Sequence, residues 1–162
     1  MNERHPIRIR DGILIFVRRA EAMDQERTID IWCRAVDSSH HFLTPTDGKE
    51  IEKEVRDFLP HVPLWLAVDE SDRPLGFMLL EGNHLAALFV DPSHHGRGIG
   101  RTLLQHALTF HRTITADVNE DNTRAREFYK RIGFERTGRS PVDDQGRPYP
   151  LIHMRMCSEE NE

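Results

Sequence analysis

The segment Leu88 to Leu104, LFVDPSHHGRGIGRTLL, holds the residues best suited to chemistry. Its apolar start reads as a strand ending at Val90, Asp91-Pro92 turns the chain, and Gly96, Gly98 and Gly100 lead into a helix. The first amides of a helix lack intrahelical partners, and its N-terminus favours anions. Glycines let such amides turn toward a ligand with no Cβ in the way. A phosphate or pyrophosphate is the ligand this segment would cradle. It is neither a P-loop, because no Gly-Lys-Ser/Thr follows, nor a dinucleotide fingerprint, because the third glycine position is Arg101 or Leu103 depending on register. On the glycines alone, a ligand-free turn is the alternative.

Ten histidines are the second chemical feature. The formal charge is -5, from 22 basic and 27 acidic residues, and protonating all ten histidines would carry it to +5. The protein's field is therefore sensitive to mild acid. A zinc site is rejected. His40-His41 and His94-His95 are adjacent and point in different directions, His106 and His111 are five apart rather than four, and no cysteine pair lies nearby. Cys33 shares an apolar stripe with Trp32 and Val36, and Cys157 is near the tail, which argues against a covalent route through cysteine. Two cysteines also make no disulfide framework, so a reducing cytoplasm is expected.

The elements that must position these groups fit one domain, residues 1–157, with a short acidic tail at 158–162, in a chain of 162 residues. Apolar residues are 38% of the chain, and with the 10 glycines added the fraction is about 44%, near the globular average. The longest apolar runs fall far short of the roughly 18 residues a membrane span needs, and the charged start MNERHPIRIRDG lacks a secretion signal's apolar stretch. Net acidity argues against a general nucleic-acid binder.

Asp11-Gly12 signals a hairpin, giving a strand at Ile13 to Arg18 and leaving room for a short strand before it. Ile29, Trp32, Cys33 and Val36 mark one face of a helix from about Met23 to Val36. Thr44-Pro45 starts a second helix that should bury Ile51, Val55, Phe58 and Leu59. Leu64 to Val68, Leu75 to Leu80 and His84 to Val90 read as a strand meander. A helix from about Gly98 to Phe110 shows Ile99, Leu103, Ala107 and Phe110 on one side, Ile114 to Val118 is a strand, and a helix from about Thr123 to Ile132 shows Ala125, Phe128, Tyr129 and Ile132. Phe134 to Ser140 and Leu151 to Met156 close the sheet. The fold class is α/β (α+β), a mixed sheet covered by helices.

VDPSHHGRGIGRTLL resembles the acyl-CoA loop of the GNAT superfamily of acetyl-CoA-dependent N-acetyltransferases. The family signature there is Arg or Gln, two variable residues, Gly, one variable residue, then Gly or Ala. Here Gly98, Ile99 and Gly100 match, and His95 departs at the first position. A second stretch, VNEDNTRAREFYKRIGF, is similar to the family's following strand-loop-helix through Asn122, Ala125, Phe128, Tyr129, Gly133 and Phe134. The resemblance runs from about Ile13 to Met156.

It implies a mainly antiparallel sheet of about seven strands, about four helices, and splayed fourth and fifth strands between which pantetheine inserts. It implies acetyl-CoA as cosubstrate, without metal, held by Leu88, Phe89, Val90, His95, Gly96, Arg97, Gly98, Ile99, Gly100, Arg101, Asn122, Ala125 and Tyr129, with His95 serving mainly through its backbone amide. An N–H of Leu88 or Phe89 would polarise the thioester carbonyl. Tyr129 takes the general-acid role: with an ordinary pKa of about 10 it stays protonated and can donate to a thiolate whose acid has a pKa of about 8.5. A plain core tyrosine is the alternative. His84 is the first candidate base for a direct transfer in a ternary complex, Asn119 could order a water, and His40 and His41 lie where the family shapes its acceptor pocket; the other histidines are expected at the surface. If a histidine is the base, activity should fall as pH drops through about 7 to 6. Asp143, Asp144 and Tyr149 sit in a segment long enough to reach the acceptor site, or simply form a solvated turn. The acceptor is a primary amine, on a small molecule or a protein; a non-catalytic acyl-CoA sensor is the rival, and a homodimer is left open.

Overall fold

The computed structural model describes residues 5–8, 14–39 and 43–158. His40 and His41 lie outside these. The chain forms two compact units, Met1–Leu79 with Ala87–His106, and Leu80–Ala86 with Ala107–Glu162. Among the described residues there are eight strands and four α-helices, in a mixed α/β arrangement, against the expected seven or so; the extra one is the short strand for which the hairpin signal left room.

In the first unit, β1 (His5–Arg8) pairs antiparallel with β2 (Leu14–Arg19), β2 with β3 (Trp65–Val68), and β3 with the first part of β4 (Pro74–Glu81). Two helices intervene, α1 (Gln25–Ser39) and α2 (Pro45–Phe58). Thr44 caps α2 as its position before Pro45 predicts, its hydroxyl accepting from the Asp47 amide at 3.2 Å. The core beneath them is Ile31, Trp32, Leu59, Leu64, Leu66, Val68, Phe77 and Leu79. Burying each of the aliphatic and Phe side chains contributes about 1.5–3 kcal/mol. The deepest stripe of α1 is Thr28, Ile31, Trp32 and Ala35. It is rotated by one residue from the predicted Ile29, Trp32, Cys33 and Val36, because Thr28 turns its hydroxyl onto the Gln25 carbonyl at 2.8 Å and can then be buried. Phe58 is 49% exposed, contrary to expectation, and Ile51 and Val55 are only partly buried; Leu59, which opens the next tight turn, is buried as expected.

β5 (His84–Val90) and α3 (Ile99–Leu108) are divided between the units. Ile99, Leu103 and Leu104 of α3 are buried, but Phe110 is 55% exposed because the helix ends before it.

The second unit holds the start of β5, β6 (Thr113–Asn119), α4 (Thr123–Ile132), β7 (Glu135–Ser140) and β8 (Leu151–Cys157). β6 alternates without error: Ile114, Ala116 and Val118 are buried, while Thr113, Thr115, Asp117 and Asn119 share the other face. Parallel register with β5 is limited to His84↔Thr115 and Leu85↔Ala116. β8 pairs antiparallel with β6 and with β7, where a bulge falls between Arg136 and Gly138.

Candidate functional site

The glycine loop is built around a buried carboxylate. Asp91, 1% exposed, accepts from Arg27 at 2.7 Å and Arg34 at 3.1 Å, both on α1, and from the Ser93 amide and hydroxyl at 3.0 and 2.8 Å. Burial alone would raise the Asp91 carboxyl; the hydrogen bonds from Arg27 and Ser93 outweigh it and hold the group well below the usual carboxylate range. The loop that follows turns at Gly96 (φ 78°) and Gly98 (φ 79°), a left-handed region that other residues enter at a cost. A Cβ added at Gly96 would meet nothing within 4 Å, so that position is open to a ligand. Arg97 and Arg101 are exposed there. His95 spends its amide on the Pro92 carbonyl at 3.3 Å, a long bond.

Gly76 lies against the end of β5. A Cβ there would sit 2.9 Å from the Phe89 carbonyl oxygen and 3.0 Å from Ile99 Cγ2, so both β5 and the start of α3 would have to move. Gly76→Ala is expected to cost about 1–3 kcal/mol of stability, read from urea unfolding. Leu88, Phe89 and Val90 are half-buried, with Phe89 stacked against Phe77 at 5.5 Å.

In the second unit, Asn122 turns out to cap α4: its carbonyl oxygen accepts from the Ala125 amide at 3.2 Å. The spacing of Asn122 and Ala125 thus has a helix-starting reason of its own. Gly133, at φ 123°, ends the helix, and Phe134 then folds back with its amide on the Tyr129 carbonyl at 2.9 Å. The Tyr129 ring is 7% exposed, edge-on to Phe128 at 5.4 Å and Phe134 at 5.1 Å. Burial pushes its phenol well above the ordinary value. No hydrogen bond forms at its hydroxyl among the described residues.

His84 enters a polar row. Its Nδ1 is 2.7 Å from the Thr115 hydroxyl and its Nε2 is 3.5 Å from Asp117 Oδ2. Asp117 Oδ1 is 2.6 Å from His153 Nδ1, and His153 Nε2 is 2.7 Å from the Ser140 hydroxyl. Asp117, His153 and Ser140 are not among the residues singled out by sequence, and His153, expected at the surface, is 35% exposed but hydrogen-bonded at both ring nitrogens. The one available signal was the alternation of β6, which puts Thr115, Asp117 and Asn119 on one face; their partner on β8 follows only from register. His106 is likewise packed, edge-on to Trp65 at 4.3 Å. Asp143 takes the turn reading: its carboxylate accepts from the amides of Gln145 and Arg147 at 2.9 and 2.8 Å.

Comparison with known proteins follows the same lines. Residues 36–157 match the family described as "Acetyltransferase (GNAT) domain". The "Peptidyl-lysine N-acetyltransferase YjaB" of Escherichia coli (strain K12) is 50% identical over 142 residues, 88% of this chain and 97% of that protein. The solution structure of apo-form YjaB from Escherichia coli superposes with a TM-score of 0.84, covering 87% of this chain and 96% of the other at 50% identity. A paia N-acetyltransferase from Thermoplasma acidophilum, solved in complex with coenzyme A, shares the fold at a TM-score of 0.72 and 17% identity, over 89% and 99% of the two chains.

Proposed function

Since the chain belongs to the GNAT acetyltransferase family and is an N-acetyltransferase, we propose that it moves an acetyl group from acetyl-CoA directly to the side-chain amine of a protein lysine. The observation that carries the transfer step is Tyr129, a buried phenol with no hydrogen bond at its hydroxyl. The ring is buried while the hydroxyl is committed to no hydrogen bond among the described residues, so its proton is available to a ligand. The lysine acceptor is supported by the names of relatives that match most of this chain.

The open glycine turn and the start of α3 suit a pyrophosphate, with Arg97 and Arg101 adding positive charge. Backbone groups of Leu88 to Val90 hold the pantetheine arm, and the N–H of Leu88 or Phe89 polarises the carbonyl. Asn122 and Ala125 form the start of α4, and His95 and Ile99 complete the glycine loop. Bound acetyl-CoA supplies an electrophilic thioester carbon. His84 takes one proton from the acceptor ammonium and so frees the amine to attack; Tyr129 gives its proton to the departing sulfur and is restored by the second proton, which the nitrogen sheds as the amide forms. Burial that disfavours a tyrosinate also raises the proton affinity of a thiolate formed beside it, so the transfer is not left uphill.

A thermal-shift panel tests the cosubstrate. Coenzyme A should raise Tm, while ATP and NAD should not. Equal shifts with all three would mean a general phosphate module. An amine screen with free-thiol detection then tests the enzyme: slow thiol release that no amine stimulates would favour a non-catalytic acyl-CoA sensor.

A further inference from the structure

We infer that Asp117 Oδ2 and His84 Nε2 together seat the acceptor's ammonium group, and that His153 and Ser140 hold Asp117 in position for it. This rests on the reading that a primary amine is the acceptor. The seat follows from hydrogen-bond bookkeeping along four neighbouring strand segments of the second unit.

An ionised carboxylate can only accept, so the 2.6 Å contact between Asp117 Oδ1 and His153 Nδ1 puts a proton on Nδ1. With His153 neutral, Nε2 carries a lone pair to which the Ser140 hydroxyl, 2.7 Å away, can donate. One oxygen of Asp117 is thereby fixed by a chain of two short bonds. The arrangement is built into the register, since Asp117 lies directly opposite His153 in the β6–β8 pairing. Gly138 lies opposite His153 on β7, where a Cβ would make ordinary van der Waals contact, 3.5 Å from His153 Cδ2.

The second oxygen is used differently. Asp117 Oδ2 and His84 Nε2 are 3.5 Å apart, beyond the usual range of about 2.7–3.2 Å for an N–H···O bond. His84 Nδ1, at 2.7 Å from the Thr115 hydroxyl, can donate to it, which leaves a lone pair on Nε2. Two acceptors then face each other across a gap, and the side chains that carry them are 37% and 27% exposed. A group with at least two N–H donors and a positive charge satisfies both. A primary ammonium does so, giving one hydrogen to Oδ2 and one to Nε2; a quaternary ammonium cannot. When the proton on the second bond passes to Nε2, the amine becomes neutral and nucleophilic, and the imidazolium formed faces the carboxylate.

The test reads binding apart from turnover. N-α-acetyl-lysine amide added without acetyl-CoA should shift the ring signals of His84 and His153 in NMR spectra, and its N-ε-trimethyl analogue should not. Equal shifts with both, or none with either, overturn the seat. In steady state, Asp117→Asn should raise the KM for the lysine acceptor about tenfold or more while leaving that for acetyl-CoA in place. His153→Asn should move the same KM by less, and Ser140→Ala by less again. If Asp117→Asn does not fold, the His153 and Ser140 variants carry the comparison. An unaltered acceptor KM, or equal rises in both KM values, contradicts the assignment. Ring shifts without any acetylated product would leave the seat standing and remove the transferase reading instead.

Discussion

Tyr129→Phe should lower kcat by about 100-fold or more while coenzyme A binding stays largely intact. The variant is a narrow one. The Tyr129 ring is held edge-on by Phe128 and Phe134, and a phenylalanine keeps both contacts. Only the hydroxyl is lost, and it makes no hydrogen bond among the described residues, so stability should change little. Without that proton the sulfur must leave as an unprotonated thiolate beside a buried ring, where an uncompensated charge is costly. Because burial holds the phenol protonated far above neutrality, the loss should not depend on pH across the neutral range. Single-turnover measurement with saturating acetyl-CoA reads it directly. An unchanged rate would make Tyr129 an ordinary core residue.

Asp91→Asn should cost about 3 kcal/mol or more of folding stability, because it leaves Arg27 and Arg34 of α1 facing a group that no longer neutralises them. The Arg27 side chain is 13% exposed and Asp91's is 1% exposed, so water cannot make up the loss of that pair, whereas Arg34 is 44% exposed and contributes less. The sign of the pH effect follows from the lowered carboxyl. A group whose folded pKa lies below its unfolded value of about 3.9 stabilises the fold above that value and loses the contribution as pH falls through the folded one. The gap between wild type and variant should therefore be constant from about pH 5 to 8 and shrink only below about pH 4. Urea titrations at several pH values measure it. A gap that closes near neutrality would mean that the arginines do not depend on this carboxylate.

These two residues also show what could be read from sequence. Gly96, Gly98 and Gly100 declare a strand-turn-helix cradle because glycine's backbone freedom is local, and Tyr129 stands out because Phe128, Gly133 and Phe134 sit at fixed offsets that close one helix end. Asp91 was legible as a turn residue but not as the partner of Arg27 and Arg34, which lie 64 and 57 positions away. His153 was missed for the same reason: its contact with Asp117 spans 36 positions and exists only because β6 and β8 pair in one register. Periodicity named the faces of α1 and α3 but not their limits. Thr28 is buried against expectation because its hydroxyl finds the helix backbone, and Phe110 is exposed because α3 stops short of it.

The most direct measurement uses purified protein, acetyl-CoA and a lysine-bearing peptide with a blocked N-terminus, following free thiol and peptide mass together. Coenzyme A thiol should appear one for one with acetyl groups on the lysine side chain, and only when the peptide is present. Thiol release indifferent to the peptide, with no acetylated lysine formed, would contradict transfer to a protein amine.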